Sequence, residues 1–108
     1  EGQSIDNAIE YTINGIRDVV RLYPDKKIAI LEAGWATTAS EFGDRASEAY
    51  QKEYYNDLKK WAIDNNITVF FFEAFDEPWK GESDAPDAAE KNWGIYFESR
   101  MPKQVLQK

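Results

Sequence analysis

Glu32, Trp35, Glu73, Asp76, Glu77, Trp79 and Lys80 are the residues whose types and spacing could do chemistry together. Glu32 closes the apolar run "KIAILE" and is followed by Ala33, Gly34 and Trp35. A second run, "TVFFFEAFDEPWK", leads through Phe70, Phe71 and Phe72 into Glu73, Asp76, Glu77 and Lys80. Buried strands usually exclude carboxylates, because taking an ionised one out of water is costly. Two apolar strands that both end in acid therefore suggest one shared polar site. The sequence holds no cysteine and no histidine. Disulfides, thiolate metal sites and a cysteine nucleophile are excluded, and the usual neutral-pH base and commonest zinc ligand are missing. Acid/base chemistry falls to carboxylates, and neither a metal nor a cofactor is expected.

The remaining composition bounds the partners. With 108 residues, 43% of them hydrophobic and 15% aromatic, the chain is sized for one packed domain or part of one. A balance of 13 Lys+Arg against 20 Asp+Glu gives a net charge of −7, which repels a phosphate backbone, so no nucleic acid is expected. The apolar runs fall far short of the roughly 18 to 20 residues that span a bilayer, so no membrane span is expected.

The elements that must position these residues follow from periodicity. Ile5, Ile9, Ile13, Ile16 and Val20 recur at helical spacing after Ser4, a capping residue, and Pro24 follows soon after; a helix is predicted from Ile5 to Leu22. "KKIAILE" reads as a strand from Lys27 to about Glu32, with Ile28, Ile30 and Glu32 on one face and Ala29 and Leu31 on the other. Tyr50, Tyr54, Leu58, Trp61 and Ala62 mark a second helix between Ser47 and Asn65, and Asn65-Asn66 is a left-handed stop. "ITVFFFEAF" is apolar on both faces, as expected of a strand covered on both sides. Strict alternation puts Glu77 on the face of Val69, Phe71, Glu73 and Phe75, as it puts Glu32 on the face of Ile28 and Ile30. Beyond Pro78 a loop is expected, with a short helix near Asp87 to Lys91, then a short extended piece and a terminal helix.

This order is a βαβ unit with flanking helices, hence an α/β fold with a parallel pair and a right-handed crossover. Two parallel strands cannot cover their own faces and edges. That deficit, and a start at Glu1 rather than methionine, fit a piece of a larger protein.

"ILEAGWAT", "FFFEAFDEPWK" and "NWGIYFESRMPK" together resemble the C-terminal part of glycoside hydrolase family 17, the (β/α)8-barrel β-1,3-glucanases and glucanosyltransferases. The likeness spans about Lys27 to Lys103 and is specific in the combination of the Glu-x-Gly-Trp and "DEPWK" blocks. Ala33, Ala36 and Thr37 depart from the family's usual Glu-Thr/Ser-Gly-Trp-Pro-Ser, and Asn92 stands where a histidine is common. The resemblance implies a fragment of a (β/α)8 TIM barrel: residues 1–108 as the C-terminal segment of one barrel domain, with its last two strands, the seventh and eighth. It implies Glu32 as the nucleophile of a retaining glycosidase, Glu77 and Lys80 lining the site, and an acid/base residue on an earlier strand outside these residues. The isolated chain would then be inactive.

Barrels of this kind hold their catalytic groups at the C-terminal ends of strands, where Glu32 and Glu77 are expected, with the faces of Ile28, Ile30, Val69 and Phe71 turned inward so that both carboxylates point into the barrel mouth. A retaining enzyme needs two carboxyl groups about 5 to 5.5 Å apart. Trp35 and Trp79 offer flat faces for a sugar ring and an indole N–H for a hydroxyl. Glu73 reads as a buried acid paired below the site, Asp76 as a loop cap, Tyr50, Tyr54, Tyr55, Trp61 and Trp93 as packing, and "ESDAPD" as a solvated loop. The expected partners are a β-glucan or oligosaccharide substrate and the remainder of the barrel. Family membership implies a secreted, periplasmic or cell-surface setting. The alternatives are a non-catalytic carbohydrate-binding remnant and a structural fragment that self-associates to cover its sheet edges.

Overall fold

The structure is a computed structural model that describes residues 3–108. The order of elements is α1 (Ile5–Leu22), β1 (Ala29–Ala33), α2 (Glu48–Asp64) and β2 (Thr68–Phe71), with single 3₁₀ turns at Gly43–Arg45, Ala89–Lys91 and Gln104–Leu106. β1 and β2 pair in parallel, in a two-stranded sheet whose outer face is open.

α1 has the predicted bounds. Ser4 sits at its N-cap, but its hydroxyl makes no capping bond to the helix; the Ser4 carbonyl takes the Asn7 and Ala8 N–H groups at 3.1 and 3.0 Å. α2 is capped by Ser47, whose side chain accepts the Tyr50 N–H. Its buried stripe is Gln51, Tyr54, Leu58 and Ala62, spaced three and four apart as a helix seam requires. Asn66 takes a left-handed φ of 54° just past its end, as the Asn-Asn pair predicted. The terminal helix reduces to the one-turn Gln104–Leu106, and the short helix near Asp87 to the turn Ala89–Lys91.

The main core lies between the helices and one face of the sheet: Ala8, Ile30, Ala33, Tyr54 and Leu58 are buried, with Ile5, Ile9, Ile16, Trp35, Trp61, Val69 and Phe71 packed on them. This reverses the expected sidedness. Ile30, Val69 and Phe71 face the helices, while Leu31 (77% exposed) and Phe70 (57%) stand on the open side. The strand also starts at Ala29 rather than Lys27, because pairing begins at Ala29 with Thr68.

A break in register decides where Glu32 goes. Ile30 pairs with Val69, but Ala33 pairs with Phe71, so β1 spends one residue more than β2 over the same span. Such a bulge cancels one step of the period-2 alternation. Ile30 and Ala33 are therefore both buried, and Leu31 and Glu32 are both exposed. Strict parity would have sent Glu32 with Ile30 toward the helices; the bulge releases it to the exposed side.

Candidate active site at the strand ends

Glu32 is the penultimate residue of β1. Its carboxylate is exposed and enters no hydrogen bond or ion pair among the described residues. Just beyond it, the Phe72 N–H donates to the Ala33 carbonyl at 2.7 Å. A Cβ at Gly34 would lie 1.9 Å from the Phe72 carbonyl oxygen, so only glycine lets the two strand ends approach this closely. That contact brings the end carrying Glu32 against the segment that opens into Glu73.

The segment after β2 is clipped to residues 91–96. Glu73 N–H donates to the Trp93 carbonyl at 3.2 Å, Ile95 N–H to the Glu73 carbonyl at 2.9 Å, and Glu77 N–H to the Lys91 carbonyl at 3.2 Å. A Cβ at Gly94 would meet the Asp76 nitrogen at 2.2 Å, a second place where glycine permits backbone contact. The Phe72–Glu73 peptide is cis.

These clips gather Glu73, Glu77 and Lys80. The Lys80 ammonium donates to Glu73 Oε1 and Oε2 at 3.3 and 3.1 Å, touches Glu77 Oε2, and lies 4.5 Å from the centre of the Phe72 ring. One cation thus serves two carboxylates of unequal exposure. Burial pushes the Glu73 carboxyl up, with Lys80 opposing and the neighbouring Glu77 adding to the rise. The hydrogen bond from Lys80 holds Glu77 below the usual carboxylate range, and Glu77 in turn raises Lys80. Environments that separate the proton affinities of two adjacent acids are typical of acid/base sites.

The tryptophans divide. Trp79 is 71% exposed, with its ring free to meet a ligand. Trp35 is half-buried: its indole N–H donates to the Arg45 carbonyl at 2.9 Å and its ring lies 5.4 Å from that of Tyr54. It presents its remaining surface to a hollow of about 140 Å³ shared with Ala8, Thr12, Phe42 and Tyr54. Tyr54 and Tyr55 both pack on Phe71, at 6.2 and 4.4 Å, as the packing reading expected.

Two polar residues that organise the site carry no local sequence signal. Gln51, on the buried stripe of α2, donates to the carbonyls of Trp35, Trp93 and Gly94 at 3.0, 3.3 and 2.9 Å. Lys103 is fully buried and donates to Asp76 Oδ1 at 2.7 Å and to Thr37 Oγ1 at 2.6 Å. Asp76 Oδ1 also accepts the Gly94 N–H at 2.9 Å, so this acid does more than cap its own loop. A glutamine among charged helix residues and a lysine in a polar tail both read as solvated.

An α/β unit with a parallel pair, acids at the C-terminal strand ends and helices on one sheet face has the arrangement of two adjacent units of a (β/α)8 barrel. The chain belongs to the family of the BtgE/BtgC glycoside hydrolase domain, whose family model matches residues 1–94. It is 33% identical over 95% of its length to a glucan 1,3-beta-glucosidase of Arthroderma benhamiae, and 37% identical over 69% to one of Candida albicans. A glycoside hydrolase family 17 beta-1,3-glucanosyltransferase from Rhizomucor miehei superposes over 98% of the chain with a TM-score of 0.83 at 28% identity. An active-site mutant of the Rhizomucor enzyme, in complex with laminaritriose, does so with 0.82 at 27%. The chain spans 37%, 25% and 38% of the Arthroderma, Candida and Rhizomucor proteins. Among the described residues no helix is long and apolar enough to cross a membrane.

Proposed function

We propose that the chain is the C-terminal segment of a retaining glycoside hydrolase domain acting on β-1,3-glucan, by hydrolysis or transglycosylation, with Glu32 as nucleophile. The observation that carries this reading is the exposed Glu32 near the end of β1, which meets no partner among the described residues, in a member of this family, on a strand end linked to the segment that opens into the Glu73–Glu77–Lys80 cluster. The Glu32 carboxylate would attack the anomeric carbon, the glycosidic bond would break, and the leaving oxygen would take a proton from an acid/base residue outside these residues. Water or a second sugar would then release the glycosyl group from Glu32.

Lys80 holds Glu73 and Glu77 together in the segment that follows β2, next to the strand end that carries Glu32. Trp79 supplies an exposed ring for a sugar, whereas Trp35 packs on the helix side of the sheet with its indole N–H spent on the Arg45 carbonyl. Leu31 and Phe70 become interior when the remainder of the barrel covers the open sheet face. The names of the relatives support a glucan substrate, and the family resemblance is what stands behind a secreted, periplasmic or cell-surface setting.

The test is activity of the full-length enzyme on laminarin with Glu32→Gln. Loss of at least ~10³-fold is expected for a nucleophile. Near-normal rates would move the nucleophile elsewhere.

A further inference from the structure

The loop that follows Glu32 and the segment that carries Glu77 meet at one buried cation. We infer that Lys103 is a positioning residue for the proposed reaction: its ammonium, held between Thr37 and Asp76, locks these two stretches together and fixes Glu32 relative to Glu77 and Lys80. The inference rests on the function proposed above.

The geometry is specific. Lys103 has no exposed side-chain surface, and its ammonium donates to Thr37 Oγ1 at 2.6 Å and Asp76 Oδ1 at 2.7 Å, 5.1 Å from the centre of the Phe97 ring. Its backbone N–H donates to the Ile95 carbonyl at 3.0 Å. Thr37 is tied in turn to the Asn92 carbonyl, through its N–H at 3.0 Å and its hydroxyl at 3.2 Å. Asp76 immediately precedes Glu77 and accepts the Gly94 N–H at 2.9 Å. One side chain from the C-terminal stretch therefore closes a network over the post-β1 loop, the post-β2 segment and residues 92–97.

Stability alone is a weak reason for such a group. Removing charges from water costs about what their attraction returns, and a well-packed apolar replacement is often neutral. What a buried pair with two directed hydrogen bonds from its ammonium supplies is fixed relative placement. That placement matters most where carboxylates must sit within a fraction of an ångström of a reacting carbon.

The experiment uses the full-length enzyme with three variants: Lys103→Met, the double variant Lys103→Met with Asp76→Asn, and Thr37→Val. The single variant strands a buried acid and is expected to lower the melting temperature. The double variant removes both charges and is expected to recover most of that loss while kcat on laminari-oligosaccharides stays ~30-fold or more below wild type, with KM within about threefold. Thr37→Val keeps the ion pair and is expected to fold and lose about 3- to 10-fold in kcat. If the double variant regains both melting temperature and kcat, or Thr37→Val keeps full kcat, the inference fails. If the double variant does not fold, the Thr37→Val outcome decides alone. Glu32→Gln in the same enzyme separates the two readings: its retained activity would sink the proposed function, whereas a dead Glu32→Gln beside a fully active double variant would sink only the role of Lys103.

Discussion

Gly34→Ala puts one methyl group where the structure has no room, and its consequence can be worked from a single contact. The added Cβ would stand 1.9 Å from the Phe72 carbonyl oxygen, 3.1 Å from its carbon and 3.4 Å from the Trp93 ring. An ordinary carbon–oxygen contact is about 3.3 Å or longer, so the strand ends must part by more than about 1 Å. The obstacle is backbone, and no side-chain rotation relieves it. Phe72 is held by its own N–H bond to the Ala33 carbonyl at 2.7 Å, so the movement stretches the last link between β1 and β2. Overpacking of this kind costs about 1–3 kcal/mol, and near this enzyme size each kcal/mol moves the melting temperature by roughly 2–4 °C. A fall of roughly 2–12 °C is expected. Glu32 lies two residues away, and a displacement of about 1 Å at a reacting group costs on the order of 10²-fold in rate, or about 2.7 kcal/mol of barrier. The assay is the full-length enzyme with Gly34→Ala, read by thermal melting and by kcat on laminari-oligosaccharides. Gly15→Ala is the control: Gly15 lies within α1 with nothing within 4 Å of its added Cβ, so about 0.5–1 kcal/mol of stabilisation is expected. A Gly34→Ala enzyme with unchanged melting temperature and a rate within threefold of wild type would refute the close approach of the strand ends.

Leu58 has no exposed surface and sits in the main core, so Leu58→Ala is expected to destabilise by about 2–5 kcal/mol; a denaturant titration showing less than about 1 kcal/mol would place the core elsewhere. Glu73→Gln tests the charge cluster through pH. Burial raises the Glu73 carboxyl, so the folded state keeps a proton that the unfolded state releases, and this group's contribution to stability is lost as pH rises from about 4.3 through the raised folded value. Glutamine cannot titrate, so the melting temperature of the variant should gain on wild type as pH rises through that window. Glu77 works with the opposite sign: its lowered carboxyl favours folding above the ordinary range and loses that contribution as pH falls. A variant-minus-wild-type difference that is flat or falls with pH would show that Lys80, and not burial, governs Glu73.

Sequence determined what depends on neighbours along the chain. The bounds of α1, the Ser47 cap and Asn66 stop of α2, and the βα order all follow from short-range periodicity and turn chemistry. The family resemblance added what Glu32 would be for. Tertiary structure alone decided which face of each strand is covered, because a period of two fixes alternation and leaves the side open until the helices pack. It also decided the bulge between Ile30 and Ala33, which exists only through pairing with β2 and places Glu32 on the exposed side. Lys103 was illegible for the same reason: its partners Thr37 and Asp76 lie 66 and 27 positions away in the chain, and a lysine is buried only when distant segments deliver an acid and a hydroxyl to meet it.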